Sequence, residues 1–181
     1  MSTEGQSNAP QSRRRPERSP RHFDPSRQIP TYQPSTSSEK PEERLVAQEK
    51  AARGHQQILV ALHSWLVREG WTSIEEVPAA LDLRAKQGGN GRVIFEAKTI
   101  TPENEVHQCR AALSQLMEYR FFFGAEDDQL CLVVDRPVSD SRIRFLESVG
   151  VAVILADGTS LQGLGSTGVE LLSSRSVAAK Q

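Results

Sequence analysis

Cysteine is scarce in this chain: only Cys109 and Cys131 occur among 181 residues. The two are distant in sequence and neither belongs to a CxxC pair, so the pattern predicts neither a disulfide framework nor a structural zinc site. We expect both to be reduced thiols that pack in the core of an intracellular protein.

Long apolar runs are also missing. A bilayer-spanning helix needs roughly 18 consecutive apolar residues, and no segment of the sequence approaches that length. The N-terminal stretch MSTEGQSNAP has neither the basic region nor the apolar segment of a signal peptide. The sequence therefore predicts a cytoplasmic protein without a membrane partner.

Two common catalytic motifs are absent as well. No GxxxxGK loop occurs, which argues against a nucleotide-driven motor. No nucleophile elbow with an accompanying Ser/His/Asp order is present either. The formal net charge of −1 and the pI near 6.4 do not by themselves identify a partner.

Composition divides the chain into three parts. Residues 1–40 are rich in Ser, Pro, Gln and Arg and have few large apolar side chains, so we expect a disordered tail. Its excess of arginine suits either nonspecific contact with phosphates or a solubilising leader. A hydrophobic content of 37% is enough for one folded domain, which we assign to residues 41–160. Residues 161–181 are expected to form a poorly ordered extension.

Apolar periodicity predicts both helices and strands from residue 41 onward. Leucines three and four residues apart indicate a long helix that ends at Gly70. The runs LDLRAK and RVIFEAKTI, joined by the turn QGGNG, predict a β-hairpin. The other expected elements are a short edge strand at WTSIEEVP, a helix from Thr101 to about Gly124, a buried strand at QLCLVVD, a short helix at SDSRIRFLESVG, a buried strand at VAVILAD and a loop at TSLQGLGSTG. This order predicts an α/β fold whose mixed central sheet, with one parallel crossover, is flanked by helices.

The second predicted helix has an apolar and a polar face. Its buried stripe is expected to consist of Val106, Cys109, Leu113, Leu116, Met117 and Arg120. The polar face holds Gln115 and Tyr119 one turn apart, beside Ala111 and Ala112. Small alanines next to an amide and a phenol describe a surface that a phosphate backbone can approach closely.

Charged residues interrupt the second strand of the hairpin. Side chains alternate along a strand, so Glu96 and Lys98 lie on one side of VIFEAKTI. A turn centred near Gly89 places Asp82 opposite Glu96 on the same face. Two facing carboxylates repel unless a cation lies between them, and their oxygen atoms suit Mg²⁺, with Lys98 within reach of a coordinated water. The alternative is a solvated face on which Lys98 simply pairs with Glu96 or Asp82.

This combination resembles a known nuclease superfamily. Asp82, a glycine-rich turn, Glu96-Ala97-Lys98 on the next strand and a helix with QLMEY are similar to the PD-(D/E)xK nucleases of restriction-endonuclease-like fold. The resemblance is closest to the branch with a Gln-x-x-x-Tyr motif after the catalytic lysine, and it covers residues 45–156. One departure is that Leu81, not proline, precedes the aspartate.

The resemblance implies a metal-dependent nuclease that hydrolyses phosphodiester bonds of DNA and leaves 5′-phosphate and 3′-hydroxyl ends. Asp82 and Glu96, with the backbone carbonyl of Ala97, would bind Mg²⁺ or Mn²⁺. Lys98 would orient or deprotonate the attacking water and stabilise charge on the phosphate. One site per chain implies that both strands are cut by a homodimer or in two successive events.

The same resemblance assigns substrate contacts to the second helix. Gln115 would position Lys98 or the nucleic-acid backbone, and Tyr119, with Arg120, would contact that backbone. Two residues of the first helix are further candidates. Glu49 is either an additional metal ligand or a solvated glutamate, and His55 either faces the site or packs in the core.

Two other functions use the same fold. A catalytically silent module would bind nucleic acid or a protein partner and would need none of the three charged groups on the hairpin. An RNA nuclease would use every residue named above. The sequence alone does not separate these alternatives from a DNA nuclease.

Overall fold

The structure is a computed structural model that describes residues 19–29, 41–88 and 90–173. The elements within these ranges are β1 (Arg21–His22), α1 (Pro41–Arg68), β2 (Thr72–Val77), β3 (Leu81–Gln87), β4 (Asn90–Lys98), α2 (Glu105–Phe123), β5 (Gln129–Val134), α3 (Asp140–Ser148), β6 (Val151–Asp157), β7 (Ser160–Leu164) and α4 (Gly165–Ser173). No helix in these ranges has the length and apolar character that crossing a bilayer requires.

In the part of the chain that the structure describes, seven strands form one sheet and follow one another in chain order. The strands from β1 to β4 pair antiparallel, β4, β5 and β6 pair parallel, and β7 returns antiparallel to β6. The predicted α/β class, the mixed sheet and the parallel β5–α3–β6 unit are therefore confirmed.

Helices cover both faces of the sheet. The apolar side of α1, which includes Leu62 and Leu66, packs with Phe95 of β4 on one face. Helices α2 and α3 pack on the other face, where Ile94 of the same strand lies. Both cysteines are free and buried, as the sequence predicts.

Two local predictions are confirmed in detail. Gly70 follows α1 with a φ of +75°, and the Trp71 N–H donates to the Leu66 carbonyl, which closes the helix end. In the hairpin, Leu83 lies opposite Phe95. This is the register expected from a turn near Gly89, and it fixes which side chains of β3 and β4 share a face.

The N-terminal segment departs from the predicted disordered tail. Residues 19–29 are ordered: β1 pairs with β2, so β2 is not the edge strand that its Pro78 boundary suggested. Phe23 is buried against α1, with its ring 5.2 Å from that of His63. The remaining residues of the predicted tail, 1–18 and 30–40, lie outside the described residues.

A buried ion cluster explains why this segment is ordered. Glu76 of β2 is only 6% exposed, and Arg21 Nε donates to its Oε1 at 2.6 Å. Arg27 donates to both carboxylate oxygens of Glu76. A buried carboxylate is costly unless it is paired, so the two guanidinium groups stabilise the segment on the sheet.

The C-terminal region is also more regular than predicted. The stretch TSLQGLGSTG was expected to be a loop and residues 161–181 a poorly ordered extension, but residues 160–173 form β7 and α4. Residues 174–181 of that extension lie outside the described residues. Gly163 and Gly168 allow the helix to lie directly on the sheet, since a Cβ on Gly168 would lie 2.1 Å from the Val153 carbonyl oxygen. Glycines that suggest a loop are here required by close backbone packing.

Helix α2 differs from prediction at its start and in its orientation. It begins at Glu105 and not at Thr101, because Thr101 donates its N–H to Asn104 Oδ1 at 2.7 Å in a separate turn. The residues it buries are Cys109, Ala112 and Leu116. Val106 and Met117, expected in the stripe, are each 44% exposed. Apolar residues surround this helix, so periodicity alone does not determine which side faces the sheet.

The glycine contact between β7 and α4 generates a stability prediction. Gly168→Ala should lower the free energy of unfolding by about 1–3 kcal/mol, because the added methyl group must displace backbone atoms. Urea denaturation with an unchanged m-value measures this effect. Val169→Ala on the exposed side of α4 is the control and should change stability by less than about 0.5 kcal/mol. Equal effects of the two substitutions would contradict the packing described here.

Candidate active site

The candidate residues lie where β3 and β4 separate. Pairing of the two strands ends at Leu83 and Phe95, which leaves Asp82 and Glu96 at the next position of the register. There Asp82 Oδ2 accepts a hydrogen bond from the Ala97 N–H at 2.9 Å, so a side chain replaces the main-chain acceptor. Because the N–H and C=O of a strand residue point to the same edge, the Ala97 carbonyl also faces β3.

Glu96 and Lys98 form a buried pair on β4. Lys98 Nζ lies 2.5 Å from Glu96 Oε1, and the lysine and glutamate side chains are 15% and 2% exposed. Glu96 Oε2 is buried and has no hydrogen-bond partner among the described residues. The alternative interpretation predicts a solvent-exposed face on which Lys98 pairs with Glu96 or Asp82. The pairing with Glu96 is present, but the two side chains are largely buried and not solvent-exposed.

Burial and a neighbouring negative charge perturb the Glu96 carboxyl. Burial, followed by the charge of Asp82, raises the pKa of Glu96 to about 7, and Lys98 only partly offsets the shift. The carboxylates of Asp82 and Glu96 are thus close enough to repel each other. A carboxyl group perturbed by burial and by a like charge, beside a groove, is typical of functional sites.

His55 of α1 contacts the other carboxylate. Its Nε2 lies 3.2 Å from Asp82 Oδ1, so His55 faces the site and does not pack in the core. Burial opposes charge on Asp82, but the hydrogen bonds from His55 and the Ala97 amide hold its pKa below the ordinary value. Burial opposes a positive charge on His55, but the hydrogen bond and the charge of Asp82 outweigh this effect and raise the pKa of His55.

Gln115 and Tyr119 of α2 reach the same groove. The groove has a volume of about 780 Å³, and His55 and Asp82 line it as well. Gln115 Nε2 donates to Tyr119 Oη at 3.0 Å. Burial and the nearby Glu96 charge raise the pKa of the Tyr119 phenol. Ala112, expected beside them on an accessible face, is instead fully buried against the sheet.

Two predicted site residues are not brought to this cluster. Arg120 lines a different groove with Asp128 and Gln129, at the amino end of β5, and donates to Met117 Sδ at 3.5 Å. Glu49 lines a neighbouring groove that does not include Asp82. Helical spacing relates residues within one helix, but it does not indicate which groove each of them borders.

The N-terminal segment contributes a wall of the groove that the sequence did not reveal. Arg27 and Ile29 line it together with the β2–β3 turn. The one available signal was Glu76, a glutamate at the inward position of a predicted strand, which requires a counter-charge from elsewhere in the chain. Composition alone placed that counter-charge in a disordered tail.

A buried carboxylate oxygen of Glu96 makes this cluster suitable for a hard cation. Across residues 19–29, 41–88 and 90–173, no three His, Cys, Asp or Glu side chains are grouped as a metal site. A cation could be held by Asp82, Glu96 and the Ala97 carbonyl, with water completing its shell. Glu96 Oε2 is a buried carboxylate oxygen with no partner among the residues that the structure describes, and such an atom is stabilised by Mg²⁺ or Mn²⁺, which prefer oxygen ligands.

Comparison of the chain with protein-family models, with curated proteins and with solved structures found no match.

The contact between His55 and Asp82 generates a titration prediction. Asp82→Asn should lower the pKa of His55, because the substitution removes the charge that stabilises the imidazolium. The ring signals followed by NMR across pH measure the change. His63, whose pKa burial lowers and which packs against Phe23, is the internal control and should titrate as before. An unchanged His55 would show that the two groups do not interact in solution.

Proposed function

We infer that the chain is a metal-dependent nuclease of restriction-endonuclease-like fold that hydrolyses phosphodiester bonds of DNA. The observation that carries this proposal is the buried Glu96 carboxylate, which is paired with Lys98 through one oxygen and has no partner at the other within the described part of the chain. Asp82 lies close enough to raise its pKa. Burying such a cluster of charges costs free energy. A bound cation and a substrate phosphate would offset that cost by pairing with the carboxylates and with Lys98.

The metal would be held by Asp82, Glu96 and the Ala97 carbonyl. When bound, Mg²⁺ would polarise the phosphate and lower the pKa of a coordinated water. Lys98 is the more exposed member of the pair, with a side chain 15% exposed against 2% for Glu96, and its ammonium group would orient that water and donate to a phosphate oxygen. His55 holds Asp82 in place through the contact at 3.2 Å.

Gln115 and Tyr119 would position the substrate. Their mutual hydrogen bond fixes both side chains in the groove. The raised pKa of Tyr119 keeps the phenol protonated, so its O–H can donate to a phosphate oxygen. One site in each chain means that cutting both strands of a duplex requires a homodimer or two successive events.

One observation favours the rival, a catalytically silent module that binds nucleic acid or a protein partner. Both oxygens of Asp82 already accept contacts, from His55 and from the Ala97 amide, so the cluster is partly satisfied without a metal. The rival predicts that neither metal binding nor cleavage occurs. An RNA nuclease uses the same groups as a DNA nuclease, and substrate comparison separates the two.

Removal of Lys98 tests catalysis directly. Lys98→Ala should slow cleavage of labelled DNA in Mg²⁺ by about 100-fold or more, because a positive group that stabilises transition-state charge is lost. Lys86→Ala is the matched control, since this exposed lysine lies on the adjoining strand at the far end of the hairpin. Parallel assays with RNA of the same sequence identify the substrate. If Lys98→Ala and Lys86→Ala cleave DNA at the same rate, Lys98 has no role in catalysis.

Metal binding can be tested without measuring activity. Mg²⁺ should raise the unfolding temperature of the wild type, by the equivalent of about 2.7 kcal/mol at a hundredfold excess over its Kd. Glu96→Gln should abolish this shift, and Glu126→Gln, at an exposed position outside the groove, should retain it. A shift of equal size in all three proteins would place the ion elsewhere.

Metal-free protein provides a second measure of the same carboxyl. The pKa of Glu96 rises from the ordinary 4.5 to about 7 on folding, so the folded state binds the proton more tightly than the unfolded state. Stability of the wild type relative to Glu96→Gln should therefore fall as pH increases through this interval. Denaturation in EDTA at several pH values measures the difference, and a constant difference would contradict the burial described.

A further inference from the structure

A second groove adjoins the candidate active site. It has a volume of about 760 Å³ and lies between α1 and the turn that follows β4. Thr99, Ile100 and Thr101 line it, and these residues directly follow Lys98 in the chain. Ala51 of α1 lines both this groove and the one that contains Asp82, so the two depressions meet on the same helix.

Specific contacts maintain the shape of this second groove. The Ile100 N–H donates to Asp135 Oδ1 at 2.7 Å, which ties the turn to the end of β5. Gly54 lets α1 approach the turn closely, since a Cβ there would lie 2.7 Å from Thr99 Cγ2. The groove is therefore bounded by packed elements on both sides.

Three basic side chains line the groove. Lys50, Arg53 and Arg136 line it, are exposed, and form no ion pair within residues 19–29, 41–88 and 90–173. By contrast, arginines on the strands of the sheet are paired, as in Arg84 with Glu75 and Arg92 with Asp128.

Two carboxylates, Glu49 and Asp135, also border this groove. Asp135 already accepts the Ile100 N–H, so its charge is partly stabilised within the protein. Three cations and two carboxylates line the groove, so its lining carries one net positive formal charge although the whole chain has a formal charge of −1. Lysine and arginine in this setting attract phosphate groups.

We propose that Lys50, Arg53 and Arg136 bind the phosphodiester backbone of the nucleic-acid strand next to the bond that is cut. The proposal rests on the proposed nuclease function, because it takes the phosphate beside Lys98 as the starting point of the strand. The strand extends from there along the Thr99–Thr101 turn. Contacts of this kind position a backbone without reading its sequence.

Binding without cleavage tests this assignment. Fluorescence anisotropy of labelled single-stranded and duplex DNA, and of RNA of the same sequence, is measured with the full chain in EDTA at several salt concentrations. The groove variant combines Lys50→Ala, Arg53→Ala and Arg136→Ala. The control combines Lys86→Ala, Arg110→Ala and Arg144→Ala, which remove the same charge from exposed positions outside both grooves.

The groove variant should bind at least tenfold more weakly than the wild type, and its plot of log K against log salt should be flatter by about 2 to 3. The control should bind within about twofold of the wild type. If both variants bind nucleic acid equally weakly, the loss of affinity comes from the change in net charge and not from the groove, and the assignment is overturned. Competition by inorganic phosphate as effective as that by an oligonucleotide of equal phosphate concentration would also overturn it, because it would indicate a small-anion site.

Cleavage by the wild type in Mg²⁺ separates this proposal from the proposed function. Cleavage together with unaltered binding by the groove variant would refute the groove and leave the nuclease intact. Binding that depends on the groove, without cleavage of any DNA or RNA, would refute the nuclease and support a binding module that uses this groove. Absence of binding to all three nucleic acids would overturn the groove assignment. Thermal unfolding of both triple variants confirms that each is folded.

Discussion

The candidate site depends on the burial of one carboxylate, that of Glu96, away from water. Glu96 sits on a strand covered by helices on both faces, and Lys98 compensates only one of its oxygens. Removing one partner of a buried charge pair typically costs about 3–5 kcal/mol, so the positions of β3 and β4 around this pair are tightly constrained. Beyond the last pair of these two strands, Asp82 binds the Ala97 amide with its side chain.

Features that depend on neighbours in sequence could be predicted. Alternation along β4 placed Glu96 and Ile94 on one face and Phe95 on the other, and the glycine turn determined the register of the hairpin. The same local rules located Gly70 at the end of α1. Gln115 and Tyr119, one helical turn apart, were correctly expected to lie together. Each of these inferences uses a repeat of two or about four residues, which a single sequence displays directly.

Features that depend on distant partners could not be predicted. The orientation of His55 is determined by Asp82, which lies on a strand and not on the same helix. The groove that Arg120 borders depends on how α2 packs against β5. Glycines 163 and 168 resemble a loop in sequence, and only the close approach of α4 to the sheet explains them. Rotation of α2, with apolar residues on several sides, was likewise decided by tertiary packing.

The pairing of Arg21 and Arg27 with Glu76 sets a limit on how far the chain can be shortened. Trimming low-complexity leaders is a common step before crystallisation, and composition alone would place the cut near residue 40. A cut there would strip a strand from the sheet edge and expose the apolar surface that Phe23 covers. Exposed edges and apolar patches promote aggregation. We therefore expect that a shortened chain has to keep residues 21–29 to avoid aggregation.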